Sequence, residues 1–129
     1  MFSHVMVGSS DLARSARFYD AILATVGVTR ARELDDRVFY RNAAIPDGPA
    51  FAVIIPINGE PACHANGGTI GFRAQDEATV DAWHAAGIAA GGIDDGAPSI
   101  RGMIKRYGAY LRDHDGNKLC AFVPPEATS

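Results

Sequence analysis

The sequence predicts an α+β chain built from two tandem βαβββ modules. Three observations carry this reading. The first is an internal repeat: residues 4–28, HVMVGSSDLARSARFYDAILATVGV, lie over residues 69–93, TIGFRAQDEATVDAWHAAGIAAGGI, at a constant offset of 65. Asp11 falls on Asp76, Phe18 on Trp83, Gly27 on Gly92 and Val28 on Ile93. The second is punctuation: in each copy an aspartate precedes a run with helical spacing, and glycine ends it. The third is period-2 alternation, broken by turn formers, in the segments that flank each helix. Few residues are identical between the copies, so the shared pattern carries the claim. A unit this long, present twice, is not a solenoid repeat; it implies two fused copies of one module facing each other around a shared site.

The elements follow in order. Residues 2–8, FSHVMVG, alternate and carry valines, as a half-buried strand does. Asp11 offers an N-cap, Leu12, Ala16, Tyr19, Leu23 and Val26 recur at helical spacing, and Gly27 is the stop. Residues 28–33 and 37–41 read as strands joined by a turn at Asp35 and Asp36, and 43–49 as a Pro/Gly loop. Residues 50–55, AFAVII, form a buried strand stopped by Pro56, and 57–68 link the modules. In the second copy GTIGFRA is a strand, Asp76 caps a helix with Val80, Trp83, His84, Gly87 and Ile88 toward one side, and Gly91-Gly92 end it. Residues 93–106 are expected to hold one short strand and a long loop. The strands 107–112 and 118–123 flank the tight turn Asp113-His114-Asp115-Gly116-Asn117, a strong hairpin signal with His114 exposed. The tail PPEATS is expected to fray.

Bulk properties bound the function. A chain of 129 residues is one domain, 1–129, with module one at about 2–57 and module two at about 67–125. The net charge of −3 and the lack of a basic stripe argue against nucleic acid as a partner. No run approaches the roughly 18 apolar residues of a membrane span. Strand-like sequence starts at once, so no signal peptide is expected, and Cys63 and Cys120 read as reduced thiols of a cytoplasmic protein. No phosphate loop or nucleophile elbow occurs. Asp35-Asp36 and Asp94-Asp95 read as turn residues, and His84 as a surface or helix-packing residue.

The FSHV opening, the DLARSARFYDAIL helix, the βαβββ repeat and the closing DHDGNKL hairpin resemble the vicinal oxygen chelate superfamily. Glyoxalase I, bleomycin- and fosfomycin-resistance proteins and extradiol dioxygenases belong to it. The resemblance covers nearly the whole chain. Its most specific piece is the turn, where the family pattern D-P-D-G-N appears here with His114 in place of proline. The resemblance implies a cupped, eight-stranded mixed sheet with helices outside and a divalent metal in the cup. The family's ligands sit on the first and last strands of each module. Here those positions are His4 and Thr69, and the vicinity of Ala52 and Cys120. Threonine is a weak ligand and alanine offers none, so His4 and Cys120 supply two donors at most. A catalytic zinc takes three protein ligands and an open position. A dioxygenase iron takes two histidines and a carboxylate. The expected cofactor set is therefore none, with a divalent metal possible but not favoured.

Strand alternation sorts the remaining candidates. His4 and Met6 share one side of the first strand, and Thr69, Gly71 and Arg73 the matching side of its repeat. Cys120 and Phe122 alternate onto that side of the last strand, with Tyr110 beside them as a pocket wall. His4 is the candidate catalytic group, as base or residual ligand. Met6, Thr69, Arg73, Tyr110, Cys120 and Phe122 are the candidate substrate contacts, and Arg73 is read as the only charge among them. No Lys, Arg or second His is placed to activate Cys120 as a nucleophile. The expected function is a glyoxalase/bleomycin-resistance-like protein that binds a small organic molecule in the cup as a homodimer. The alternative is an active metal-dependent lyase or dioxygenase of the same superfamily that uses His4.

Overall fold

A computed structural model of the chain describes residues 1–125. The expectation for the tail falls largely on residues 126–129, outside the described residues. Both modules have the order β-α-β-β-β. Module one comprises β1 (His4–Gly8), α1 (Leu12–Ala24), β2 (Thr29–Glu33), β3 (Arg37–Arg41) and β4 (Ala50–Ile54). Module two comprises β5 (Thr69–Arg73), α2 (Glu77–Ala89), β6 (Ile93–Arg101), β7 (Arg106–Arg112) and β8 (Lys118–Phe122). The first strand and the helix repeat at the offset of 65 read from the sequence. The eight strands form two mixed four-stranded sheets with the same order, β1-β4-β3-β2 and β5-β8-β7-β6. In each, the first strand runs parallel to the last, with His4 opposite Ala50 and Thr69 opposite Lys118.

The helices begin as the sequence dictates. Asp11 and Asp76 both have extended backbone, and each side chain accepts the N–H three residues on, from Arg14 at 3.1 Å and Thr79 at 2.8 Å. That satisfies an otherwise orphaned donor of the first turn. Gly27 and Gly91 take left-handed φ values of 79° and 93°, where a side chain would be strained. The buried stripe of α2 is Val80, Trp83 and Gly87, while Ile88 turns outward. Gly87 is a close-approach residue: a Cβ there would lie 2.2 Å from Leu111 Cδ1. It lets α2 settle onto β7 and α1.

One apolar core runs through both modules. Phe18, Tyr19, Ile22 and Leu23 of α1 join Val38, Tyr40, Phe51 and Val53 of the first sheet. Val80 and Trp83 of α2 join Ala109, Leu111, Leu119 and Ala121 of the second. Phe51 and Phe72 bridge the two sheets with ring centroids 5.5 Å apart. Phe18 and Trp83, aligned by the repeat, are both fully buried. Because side chains alternate along a strand, the opposite face of each sheet points away from this core. Most of it is open to solvent.

One element differs from its expectation. Residues 93–101 form a nine-residue strand rather than a short strand and a long loop. The ladder with β7 shifts register twice, between Asp94 and Gly96 and between Gly96 and Ser99. These irregularities absorb Gly96 and Pro98, which break the alternation. Proline is tolerated because β6 lies at the edge of its sheet. The other edge strand, β2, is exposed throughout and carries charge at three of five positions, which discourages edge-to-edge pairing.

Candidate functional site

The DHDGN turn is the first polar cluster to resolve, and it serves as an internal lock. Asp113 is buried, and its carboxylate accepts from four donors: Tyr19 Oη at 2.5 Å, Asn117 Nδ2 at 2.8 Å, and the backbone N–H groups of Asp115 and Asn117, both at 2.9 Å. Asn117 Nδ2 also donates to the Gly8 carbonyl at 3.2 Å, and Asp115 accepts from the Ser10 N–H at 3.1 Å. The turn of module two thus grips β1 and α1 of module one. Burial, and then the adjacent Asp113 charge, push the Tyr19 phenol well above its usual range, so it remains a donor. His114 is not exposed as expected. It is half-buried, with its ring edge-on to Phe18 at 5.8 Å and against Gly91.

The candidate residues from the sequence lie on the outward faces of the two sheets. His4 is exposed, with Nδ1 bonded to Ser3 Oγ at 2.8 Å. Met6 and Thr69 line a hollow of about 420 Å³ between β1 and β5, together with Cys63, Asn117 and Lys118. Thr69 also lines a second hollow of about 380 Å³, walled by Phe2, Val5, Phe51 and Phe72. Arg73, opposite Phe122 in the β5–β8 ladder, also lines a cavity of about 780 Å³ beside the end of α1. These three hollows do not include Tyr110, Cys120 or Phe122. The structure therefore does not gather the candidates into one pocket within a single chain. Tyr40 also lines the second hollow, with its hydroxyl donating to Asp20 at 2.9 Å, and Tyr107 donates to Asp81 at 2.6 Å. His84 bonds Asp94 at 3.0 Å, and Asp94 itself accepts from Gly96 N–H at 2.9 Å.

Tyr110, Cys120 and Phe122 do converge, on the outward face of β7 and β8. Tyr110 pairs with Cys120 across the ladder, and its ring meets Phe122 edge-on at 5.7 Å. Phe122 lies over Gly108, where a Cβ would come within 2.4 Å of the ring. Cys120 Sγ likewise sits over Gly71. The candidate set read from the sequence, with Arg73 as the only charge in it, leaves out the other cations of this face. Arg101 Cζ lies 5.5 Å and Lys118 Nζ 5.0 Å from the centre of the Tyr110 ring, and Arg106 Cζ lies 5.3 Å from that of Phe122. Arg112 joins them through Asp95, which it meets at 3.3 Å and Lys118 meets at 3.9 Å.

The cations of this cluster were missed because they come from three strands and never form a run in the chain. A signal was present: Arg106, Gly108, Tyr110 and Arg112 recur with period 2 on one face of β7. The expectation that no cation stands near Cys120 is corrected too. Burial pushes this thiol up, and the nearby Arg106 and Lys118 charges oppose the shift without reversing it. Cys120 is accordingly a protonated thiol, not an activated nucleophile.

The donor set does not fit the metal that the family's cup holds. Position 52 is an alanine and Thr69 offers only a neutral hydroxyl, so His4 and Cys120 supply two donors at most. Among the described residues no three His, Cys, Asp or Glu side chains gather as a group that could hold a metal ion. No helix among them is long and apolar enough to cross a membrane.

Comparison with known proteins agrees with this architecture. Residues 1–121 match the model of the Glyoxalase/Bleomycin resistance protein/Dioxygenase superfamily. No match is found among curated proteins. Among solved structures, a glyoxalase/bleomycin resistance protein from Albidiferax ferrireducens T118 is 51% identical, with a TM-score of 0.87 over 97% of this chain and 99% of its own. A glyoxalase-related enzyme from Fulvimarina pelagi is 20% identical, with a TM-score of 0.77 over 97% and 88% of the two chains. A lactoylglutathione lyase from Agrobacterium tumefaciens is also 20% identical, with a TM-score of 0.68 over 98% and 95%. The last two likenesses concern the fold alone.

Proposed function

The chain belongs to the Glyoxalase/Bleomycin resistance protein/Dioxygenase superfamily, and on that premise we propose that it binds a small organic molecule on the outward faces of its sheets without metal-dependent chemistry. The observation that carries this reading is the donor set. Position 52 has no donor atom and Thr69 offers only a neutral hydroxyl, which leaves His4 and Cys120 as two donors at most among the four family positions. A catalytic zinc takes three protein ligands and an open position. What remains at the site is an apolar floor with polar anchors, the composition of a small-molecule site.

A second copy of the chain completes the proposal. Within one chain Thr69 and Arg73 share the outward face of the second sheet with the Tyr110 cluster, as the ladder partners of Lys118 and Phe122, while Met6 stands on the first sheet. Large apolar side chains stand exposed beside them, Phe2 and Met6 near β1, and Ile100, Met103 and Ile104 at the tip of the β6–β7 hairpin. A homodimer that covers these residues would close the open faces into a concave site. Light scattering at micromolar concentration is expected to give twice the chain mass; the mass of one chain removes this part of the proposal.

The reading is tested by elemental analysis of protein purified without added metal, followed by a thermal-shift screen of small organic molecules in the presence of a chelator. The expected result is much less than one metal per chain and at least one molecule that raises Tm, because a ligand of the native state stabilises it by mass action. About one Zn, Fe, Mn or Ni per chain, lost in His4→Ala, would overturn it in favour of a metal-dependent lyase or dioxygenase.

A further inference from the structure

We propose that the outward face of the second sheet is an oxyanion site, and that the molecule it takes is a small organic acid, a carboxylate or phosphate monoester on a planar apolar body. This deepens the preceding reading and rests on it. The argument starts from a local rule that the sheet breaks. Like charges directly opposite each other on antiparallel strands are destabilising. The second sheet contains two such pairs: Arg101 opposite Arg106, and Arg112 opposite Lys118. The second pair is bridged by the Asp95 carboxylate; the first has no ion pair among the described residues, although the Arg101 charge acts on Asp94. The first sheet has no such pair among its ladders, where Arg41 faces Thr29, Arg37 faces Ile54 and Arg32 faces Phe39. A chain with a net charge of −3 thus concentrates four cations around two aromatic rings, against two carboxylates among the described residues, Asp94 and Asp95. A local conflict of this kind, only partly compensated from within, marks a functional surface.

The donors are disposed for an anion. Arg101 is fixed, with Nε donating to the Gly108 carbonyl at 3.2 Å and an Nη to the Ala97 carbonyl at 2.5 Å. Its fork is held by carbonyl dipoles, and its charge is felt by the Asp94 carboxylate without a direct ion pair. Arg106 has no hydrogen bond or ion pair among the described residues; its one contact is the Phe122 ring. Its planar fork is therefore available for bidentate recognition of an oxyanion. Lys118 and Arg101 flank the Tyr110 ring, whose hydroxyl has no hydrogen-bond partner among the described residues and can donate to the same group. Between them Gly71 and Gly108 carry no side chain, so Cys120 and Phe122 form a flat apolar floor. An anionic head against Arg106, Lys118 and Tyr110, with a planar body on this floor, gives Arg106 and the Tyr110 hydroxyl the polar partner that the described residues do not supply.

The test is calorimetric titration of the intact protein with benzoate, phenyl phosphate and the neutral benzamide, at fixed ionic strength, with inorganic phosphate as the ion-only control. The expected result is a benzoate or phenyl phosphate Kd on the order of a millimolar, the scale for so small a ligand. Benzamide should bind about tenfold or more weakly, the loss that follows when a charged hydrogen bond is removed. Whichever anion binds more tightly identifies the head group. Arg106→Gln and Tyr110→Phe should reduce the difference between anion and amide, with Tm of Arg106→Gln unchanged or raised because a like-charge pair is relieved. Arg41→Gln, on the outward face of the first sheet, should leave it intact. Equal binding of benzamide and benzoate overturns the oxyanion site while leaving the small-molecule reading in place. So does inorganic phosphate as tight as phenyl phosphate. If neither aromatic anion binds and a neutral molecule raises Tm, the oxyanion site falls alone; if nothing binds or raises Tm, both fall.

Discussion

The β7–β8 hairpin is polar in two places, its turn and its outward face, and the two are built in opposite ways. In the turn, the Asp113 carboxylate is buried and accepts from four donors, from its own loop and from α1 of the other module. On the face, Arg106 has no polar partner among the described residues and sits opposite another arginine. The first cluster is satisfied from within, and the second waits to be satisfied from outside. A polar motif that the fold itself completes is structural, however characteristic its sequence; charges that the fold leaves in conflict are the better pointer to a ligand.

The contrast can be broken most forcefully at Asp113. Asp113→Ala strands the Tyr19 hydroxyl, the Asn117 amide and two backbone N–H groups in the junction between modules. A loss of about 3–5 kcal/mol is expected, several unmet donors at about 1–3 kcal/mol each being partly relieved by water. Chemical denaturation measures it, and a loss below 1 kcal/mol would remove the lock from the account. Tyr19→Phe deletes one of the four donors and leaves three, so a smaller loss of about 1–2 kcal/mol is expected, with binding of any ligand on the outward face unchanged. On that face the order reverses. Arg106 is half-buried but has no polar partner among the described residues, so Arg106→Gln should alter stability by no more than about 0.5 kcal/mol, the usual range for a surface substitution that breaks no network, yet weaken binding of an organic acid.

The smallest effect concerns Cys120. Its thiol is pushed up by burial in the folded state, against the opposing charges of Arg106 and Lys118. The folded chain therefore holds a proton that the unfolded chain gives up above about pH 8.5, the ordinary value of a cysteine. Stability contributed by this group is complete below that pH and declines as pH rises toward the raised folded value. A Cys120→Ala variant should show a flatter decline in Tm over that alkaline window. In wild type at mildly alkaline pH, iodoacetamide should modify the exposed Cys63 well before Cys120. Equal rates, read by mass spectrometry, would contradict the assignment of Cys120 as a protonated, sheltered thiol.

The fold was legible because its signals are local. Asp11 and Asp76 cap their helices, Gly27 ends the first in a left-handed conformation, and the offset of 65 recurs without slippage in β1 and β5 and in both helices. Strand β6 was less legible because its register breaks at Gly96 conceal the alternation that identifies a strand. The site was harder for a different reason. Alternation placed Cys120 and Phe122 on one face, but the cations that surround them enter from β6, β7 and β8. Their proximity is set by ladder register, which no single segment encodes. His114 was misplaced for the same reason: its packing partner Phe18 lies in the other module, nearly a hundred residues away.

The most direct test of the central claim is backbone amide chemical-shift mapping on ¹⁵N-labelled, chelator-treated protein titrated with benzoate or phenyl phosphate. The account predicts saturable shifts at Arg106, Tyr110, Cys120 and Phe122, with the Asp113–Asn117 turn and the outward face of the first sheet unmoved. Shifts centred on His4 and appearing only after a divalent metal is restored would contradict it.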